Sequence, residues 1–84
     1  MYKLFVGGLP FATTDDELKA AFAAHGTVAS ATVVRDRDSG RSKGFGFVEF
    51  ENDEEGKAAQ AAMNGSEMGG RSITVDEARP KENR

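Results

Sequence analysis

Apolar and polar residues alternate from Lys3 to Gly7, with Leu4 and Val6 on one side and Lys3 and Phe5 on the other. Successive side chains of a strand point to opposite faces, so this segment predicts a half-buried strand. Thr14-Asp15-Asp16-Glu17 has the form of a capping box, in which a hydroxyl and a carboxylate satisfy the free amides of a helix start. Leu18, Ala21, Phe22 and His25 follow at helical spacing, and Gly26 reads as the stop. Val28 to Arg35 predicts a second strand, with Val28, Ala31 and Val33 inward, Thr32 and Val34 outward, and a slip of register near Val28. A charged turn from Asp36 to Ser42, centred on Ser39-Gly40, joins it to a third strand as a hairpin. Asn52 or Asp53 caps a second helix that runs to Met63 and closes at Asn64-Gly65. Arg71 to Ala78 predicts a fourth strand, with Ile73 and Val75 inward and Thr74 and Asp76 outward, ended by Pro80.

Each helix spans a gap between strands, and both need the same apolar face. A four-stranded antiparallel sheet with two helices on one side follows, as one domain over residues 1–80 with a short charged tail at 81–84. The second helix has a weak inner stripe of Gly56, Ala59, Gln60 and Met63. Gly56 costs up to about 1 kcal/mol relative to Ala, and Gln60 is polar at a core-facing position.

The third strand, Lys43-Gly44-Phe45-Gly46-Phe47-Val48-Glu49-Phe50, carries the candidate chemistry. Val48 and Phe50 belong to the core. Lys43, Phe45, Phe47 and Glu49 share the opposite face, and a buried aromatic pair would rarely have charges on both flanks. An open aromatic platform beside a cation holds single-stranded nucleic acid, by stacking bases on the rings and meeting phosphates with the charge. Lys3, Phe5, Thr32, Val34, Thr74 and Asp76 fall on the same bare face.

Composition narrows the alternatives. The 84 residues include no cysteine, which excludes disulfides and thiolate metal sites. No apolar run approaches the roughly 18 residues of a membrane span, so a soluble, monomeric protein of the reducing cytoplasm is expected. The net charge of −3 opposes nonspecific binding to polyanions, but the charges are segregated. Asp15, Asp16 and Glu17 face only Lys19 in the first helix, and Glu51, Asp53, Glu54 and Glu55 face only Lys57 around the second. Arg35, Arg37, Arg41 and Lys43 outnumber Asp36 and Asp38 beside the aromatic strand.

Lys43 to Phe50 matches at every position the octapeptide of the RNA-recognition motif family, and Leu4-Phe5-Val6-Gly7-Gly8-Leu9 is similar to its hexapeptide on the first strand. The resemblance covers about residues 2–79, and the approach of the chain end after Ala78-Arg79-Pro80 resembles small single-motif RNA-binding proteins of bacteria. It implies a ferredoxin-like βαββαβ sandwich of the α+β class. It also implies that Phe5 and Phe47 stack adjacent bases, Phe45 packs against the sugars between them, and Lys43 bonds a phosphate. Gly8 stands where family members commonly have Asn. Lys3 and Arg41 are expected to add contacts to RNA, as are Arg79 and Lys81 where the chain leaves the last strand. Asp76 is a candidate acceptor from a base amino group. Single-stranded RNA is the expected partner, single-stranded DNA a second one, with no cofactor and no metal.

Rival readings fare worse. An ordinary core role for the three rings would bury Lys3, Lys43 and Glu49 with them, while a protein-interaction module using the same patch is the main alternative function. A cold-shock barrel shares the Lys-Gly-Phe-Gly-Phe stretch but is all-β, against the helices predicted here. Asp36-Arg37-Asp38-Ser39-Gly40 places its glycine one position early for a calcium loop, with Phe47 where a Glu is required. His25 reads as a helix-end residue. No nucleophile–base pair and no phosphate-cradling loop is visible, so an enzyme, including a ferredoxin-like hydrolase, is not expected.

Overall fold

The structure, a computed structural model, describes residues 2–35, 38–40 and 42–78, with Ser42 and Lys43 described by their backbone alone. In chain order the elements are β1 (Tyr2–Gly7), α1 (Asp15–Ala23), β2 (Val28–Arg35), β3 (Ser42–Phe50), α2 (Asp53–Met63), β4 (Glu67–Met68), β5 (Arg71–Ser72) and β6 (Thr74–Glu77). The main sheet has the order β2-β3-β1-β6, with every neighbouring pair antiparallel. Tyr2, Leu4, Val6, Val33, Val48, Phe50 and Val75 turn to one face and bury with Leu18 and Phe22 of α1 and Ala59 of α2. This is the expected ferredoxin-like α+β sandwich, and the two aromatic motif strands, β1 and β3, lie at its centre.

The capping box of α1 forms in full. The Thr14 hydroxyl accepts from the Glu17 N–H at 3.1 Å, and the Glu17 carboxylate accepts from the Thr14 N–H at 3.0 Å. Asp15 does more than favour the positive end of the helix dipole: it accepts from the Val33 N–H of β2 at 2.7 Å. The Phe22 ring meets Phe50 edge-on with centroids 6.4 Å apart. The helix ends at Ala23 with Ala24 as its C-cap, not at Gly26 as predicted. Gly26 is needed for close approach instead, since a Cβ there would lie 2.7 Å from the Glu55 side chain, whose Oε1 accepts from the Thr27 N–H at 2.9 Å.

Asn52 is the cap of α2, its Oδ1 accepting from the Glu54 and Glu55 N–H groups at 2.8 and 3.1 Å. The weak inner stripe of this helix is explained by Tyr2, one residue before the predicted start of β1. Its ring lies where Gly56 lacks a side chain, and any Cβ at Gly56 would collide with it. Its hydroxyl donates to Gln60 Oε1 at 3.0 Å. The glycine and the glutamine are therefore the two halves of a slot for a buried tyrosine.

The slip of register expected near Val28 lies between Val28 and Ser30. The strand predicted over 71–78 is different in the structure. Gly69 and Gly70 take φ of 59° and 87°, which any side chain would resist, and so form the turn of a separate β4–β5 hairpin. Arg71 and Ser72 belong to that hairpin, and the sheet strand begins only after the buried Ile73. Asp36, Arg37 and Arg41 of the charged turn lie outside the described residues.

Candidate nucleic-acid interface

The face of the sheet away from the helices is built in rows. Thr32, Phe47, Phe5 and Asp76 are in register across all four strands, and Ser30, Glu49 and Lys3 form the next row across three. Phe45 is in register with Gly7, whose missing side chain leaves room for the Phe5 ring: a Cβ there would lie 3.0 Å from Phe5 Cε2. The three rings form one cluster: Phe5 to Phe45 is 5.6 Å between centroids, Phe5 to Phe47 5.9 Å, and Phe45 to Phe47 6.3 Å. Phe45 and Phe47 stand nearly perpendicular, at 89°. All three are half-buried, so each keeps part of its surface in solvent.

Gly46, between the two rings of β3, makes this possible from behind. A Cβ on it would be 2.5 Å from the Thr32 carbonyl oxygen and 3.2 Å from Leu18 Cδ2. Its bare inner side lets β2 and α1 close tightly on the strand that presents Phe45 and Phe47.

The charged residues are less uniform. Lys3 Nζ lies 4.8 Å from the Phe47 ring centroid, so the cation sits over the ring itself. An exposed contact of this kind contributes about 0.5–1 kcal/mol, less than the ~1–3 kcal/mol of a base stacking on an aromatic side chain. A base can therefore displace it. Glu49 is half-buried, its Oε1 accepting from the Ser30 hydroxyl at 2.8 Å. Asp76 is beside Phe5 in register, but its Oδ1 accepts from the Glu77 N–H at 2.9 Å and lies 3.5 Å from Gln60 Nε2. That engagement draws the carboxylate toward the sheet edge. Lys43 is on β3 by its backbone, while Arg41, Arg79 and Lys81 lie outside the described residues.

Two further residues lie on or beside this face. Ser30 has the parity of Thr32 and pairs with Glu49 in unbroken register with it, so alternation alone carries it onto the platform; the register shift lies before it, between Val28 and Ser30. Phe11, in the loop after β1, is 64% exposed, with the Arg71 guanidinium carbon 5.9 Å from its ring centroid. Its only sequence signal is an aromatic residue among loop formers. His25 sits at the end of α1 as expected, with Nε2 3.1 Å from Met63 Sδ.

The family model of the RNA recognition motif matches residues 4–74, spanning both aromatic strands and both helices. The chain belongs to that family. It is a family of binding domains, not of enzymes. The chain is 49% identical over 80 residues to the glycine-rich RNA-binding protein blt801 of Hordeum vulgare, covering 95% of this chain and 50% of that protein. The crystal structure of RNA-binding protein PG1 superposes with a TM-score of 0.92 at 34% identity, covering 99% of this chain and 100% of that one. A sex-lethal protein–RNA complex superposes with a TM-score of 0.88 at 34% identity, covering 95% of this chain and 48% of that one. The expected likeness to small bacterial proteins is not borne out, since these curated relatives are plant glycine-rich RNA-binding proteins. The chain spans about half their length.

Proposed function

We propose that this RNA recognition motif holds single-stranded RNA on the open face of its sheet, with residues 1–80 as the binding unit. The observation that carries the proposal is the cluster of Phe5, Phe45 and Phe47, in mutual contact yet partly exposed at the centre of the sheet. Phe5 and Phe47 stack neighbouring bases and Phe45 packs against the sugars between them. Lys43 meets a phosphate, Lys3 leaves the Phe47 ring as the base arrives, and Arg41, Arg79 and Lys81 add positive charge. Asp76 accepts from a base amino group through the lone pairs that the bonds to its Oδ1 leave free. The similarity to a protein solved with RNA and to proteins named for RNA binding supports this assignment.

The footprint is about two to four nucleotides, since such sheets stack two or three bases. Stacking contributes ~1–3 kcal/mol per base against an association cost of ~4–15 kcal/mol. Binding is therefore weak and only shallowly dependent on salt. We also propose that the protein acts as a monomer in the cytoplasm; light scattering of the free chain tests the first and imaging of the tagged protein the second. The decisive experiment is titration of Phe47→Ala with a randomised short RNA pool. At least a tenfold loss of affinity is expected with the fold intact. Unchanged affinity sinks the stacking mechanism, and a wild-type chain that ignores RNA but captures a protein through the same rings sinks the RNA assignment.

A further inference from the structure

An acid on a surface that meets phosphates works against binding unless it has another task, and Glu49 is such an acid. It stands in the row Ser30–Glu49–Lys3, directly beside the row that carries Phe47. Side chains two residues apart on a strand share a face, so Lys3, Ser30, Thr32, Phe47 and Glu49 enclose one depression of about 250 Å³. Its wall is an aromatic ring. Beside the ring is a carboxylate held in place by the Ser30 hydroxyl at 2.8 Å, and across from that carboxylate a lysine whose Nζ is 4.8 Å from the ring centroid. The depression thus offers a stacking surface, a fixed pair of acceptors and a movable donor.

We propose that this depression is a guanine-reading subsite of the platform, a specificity that rests on the RNA-binding role argued above. A base stacked on the Phe47 ring turns its Watson–Crick edge toward the row of Glu49 and Lys3, the edge that proteins read on unpaired bases. An ionised carboxylate only accepts hydrogen bonds. Guanine alone presents two adjacent donors, N1–H and N2–H, which fit the two oxygens of Glu49. Its O6 lies beside them and accepts from Lys3 once the ammonium has left the ring. Adenine and cytosine offer one amino donor next to an unprotonated ring nitrogen, whose lone pair faces the carboxylate. Uracil offers one imino donor between two carbonyl oxygens, both repelled. The order of preference is guanine, then adenine and cytosine, then uracil. Ser30 acts as a positioning residue, since its hydroxyl restrains the Glu49 carboxylate without reaching the base.

The test is a set of pentamers, UUNUU, with N as guanine, inosine, adenine, cytosine or uracil, titrated against the full chain by fluorescence anisotropy. The guanine pentamer is expected to bind about tenfold tighter than the uracil one, the scale of one good bidentate base contact. Inosine, which lacks the N2 amino group, gives up most of that gain. In Glu49→Gln the guanine and uracil pentamers converge to within about twofold, while the uracil pentamer keeps its affinity or improves as a negative charge leaves the face. Ser30→Ala lowers the guanine preference by part of that amount, and its circular-dichroism spectrum remains that of the wild type. A wild-type chain that binds all five pentamers equally, or a Glu49→Gln chain that keeps the guanine preference, overturns the subsite and leaves the RNA-binding role standing. A wild-type chain that binds none of them overturns both.

Discussion

On the inner face of the sheet, Phe50 is fully buried and meets Phe22 of α1 edge-on, with centroids 6.4 Å apart. On the outer face, Phe47 of the same strand touches Phe5 and Phe45 but keeps a surface open to water. The two residues are three positions apart, and strand parity alone sends them to opposite sides. A ring enclosed by packed neighbours has spent its apolar surface on the fold. A ring with one face open retains surface that a ligand can remove from water, so the same side chain serves stability in one place and binding in the other.

That division can be broken by substitution. The largest effect is expected from Phe50→Ala, which should cost about 3–5 kcal/mol of stability, read as a shift of the urea midpoint. A loss below about 1 kcal/mol would mean that the inner ring is not bearing the core. Gly56→Ala comes next and sharpens the comparison, because helix propensity predicts a gain of up to about 1 kcal/mol. Collision with the Tyr2 ring should instead give a net loss of about 1–3 kcal/mol, removed when Tyr2→Ala is introduced alongside it. Phe47→Ala should lower RNA affinity at least tenfold, about 1.4 kcal/mol, while moving the urea midpoint far less than Phe50→Ala does. The smallest effect is Tyr2→Phe, which removes the hydroxyl bonded to Gln60 and should cost about 0.5–1.5 kcal/mol with RNA binding unchanged. A drop in affinity there would join two faces that the geometry keeps apart.

The platform was legible because it depends on one local rule. Alternation along β1 and β3 places Phe5, Phe45 and Phe47 together without knowledge of any other element. The same holds for the box at Thr14 and Glu17, whose partners are three residues apart. Features that depend on distant segments were not legible. Gly56 and Gln60 look like defects until Tyr2, more than fifty residues earlier, is placed between them. Gly26 resembles a helix stop because its neighbour Glu55 comes from the other half of the chain. The Gly69-Gly70 turn was a readable signal, and the apolar alternation of Ile73 and Val75 beside it suggested a longer strand than the main sheet holds. Ser30 shares the parity of Thr32 and was readable as outward, but its bond to Glu49 depends on which strand pairs beside it.

The bond from Val33 N–H to Asp15 has a meaning beyond the packing of α1. β2 is an outer strand of the sheet, paired only with β3. An outer strand with free amides is a template on which another chain can grow. Here one amide in the body of that strand is already held at 2.7 Å by a carboxylate from the protein's own helix. An incoming strand would have to displace a charge-assisted bond and meet the expelled anion. Asp15 therefore makes the β2 edge a poorer template for a second chain, while the sheet face that β2 borders stays open.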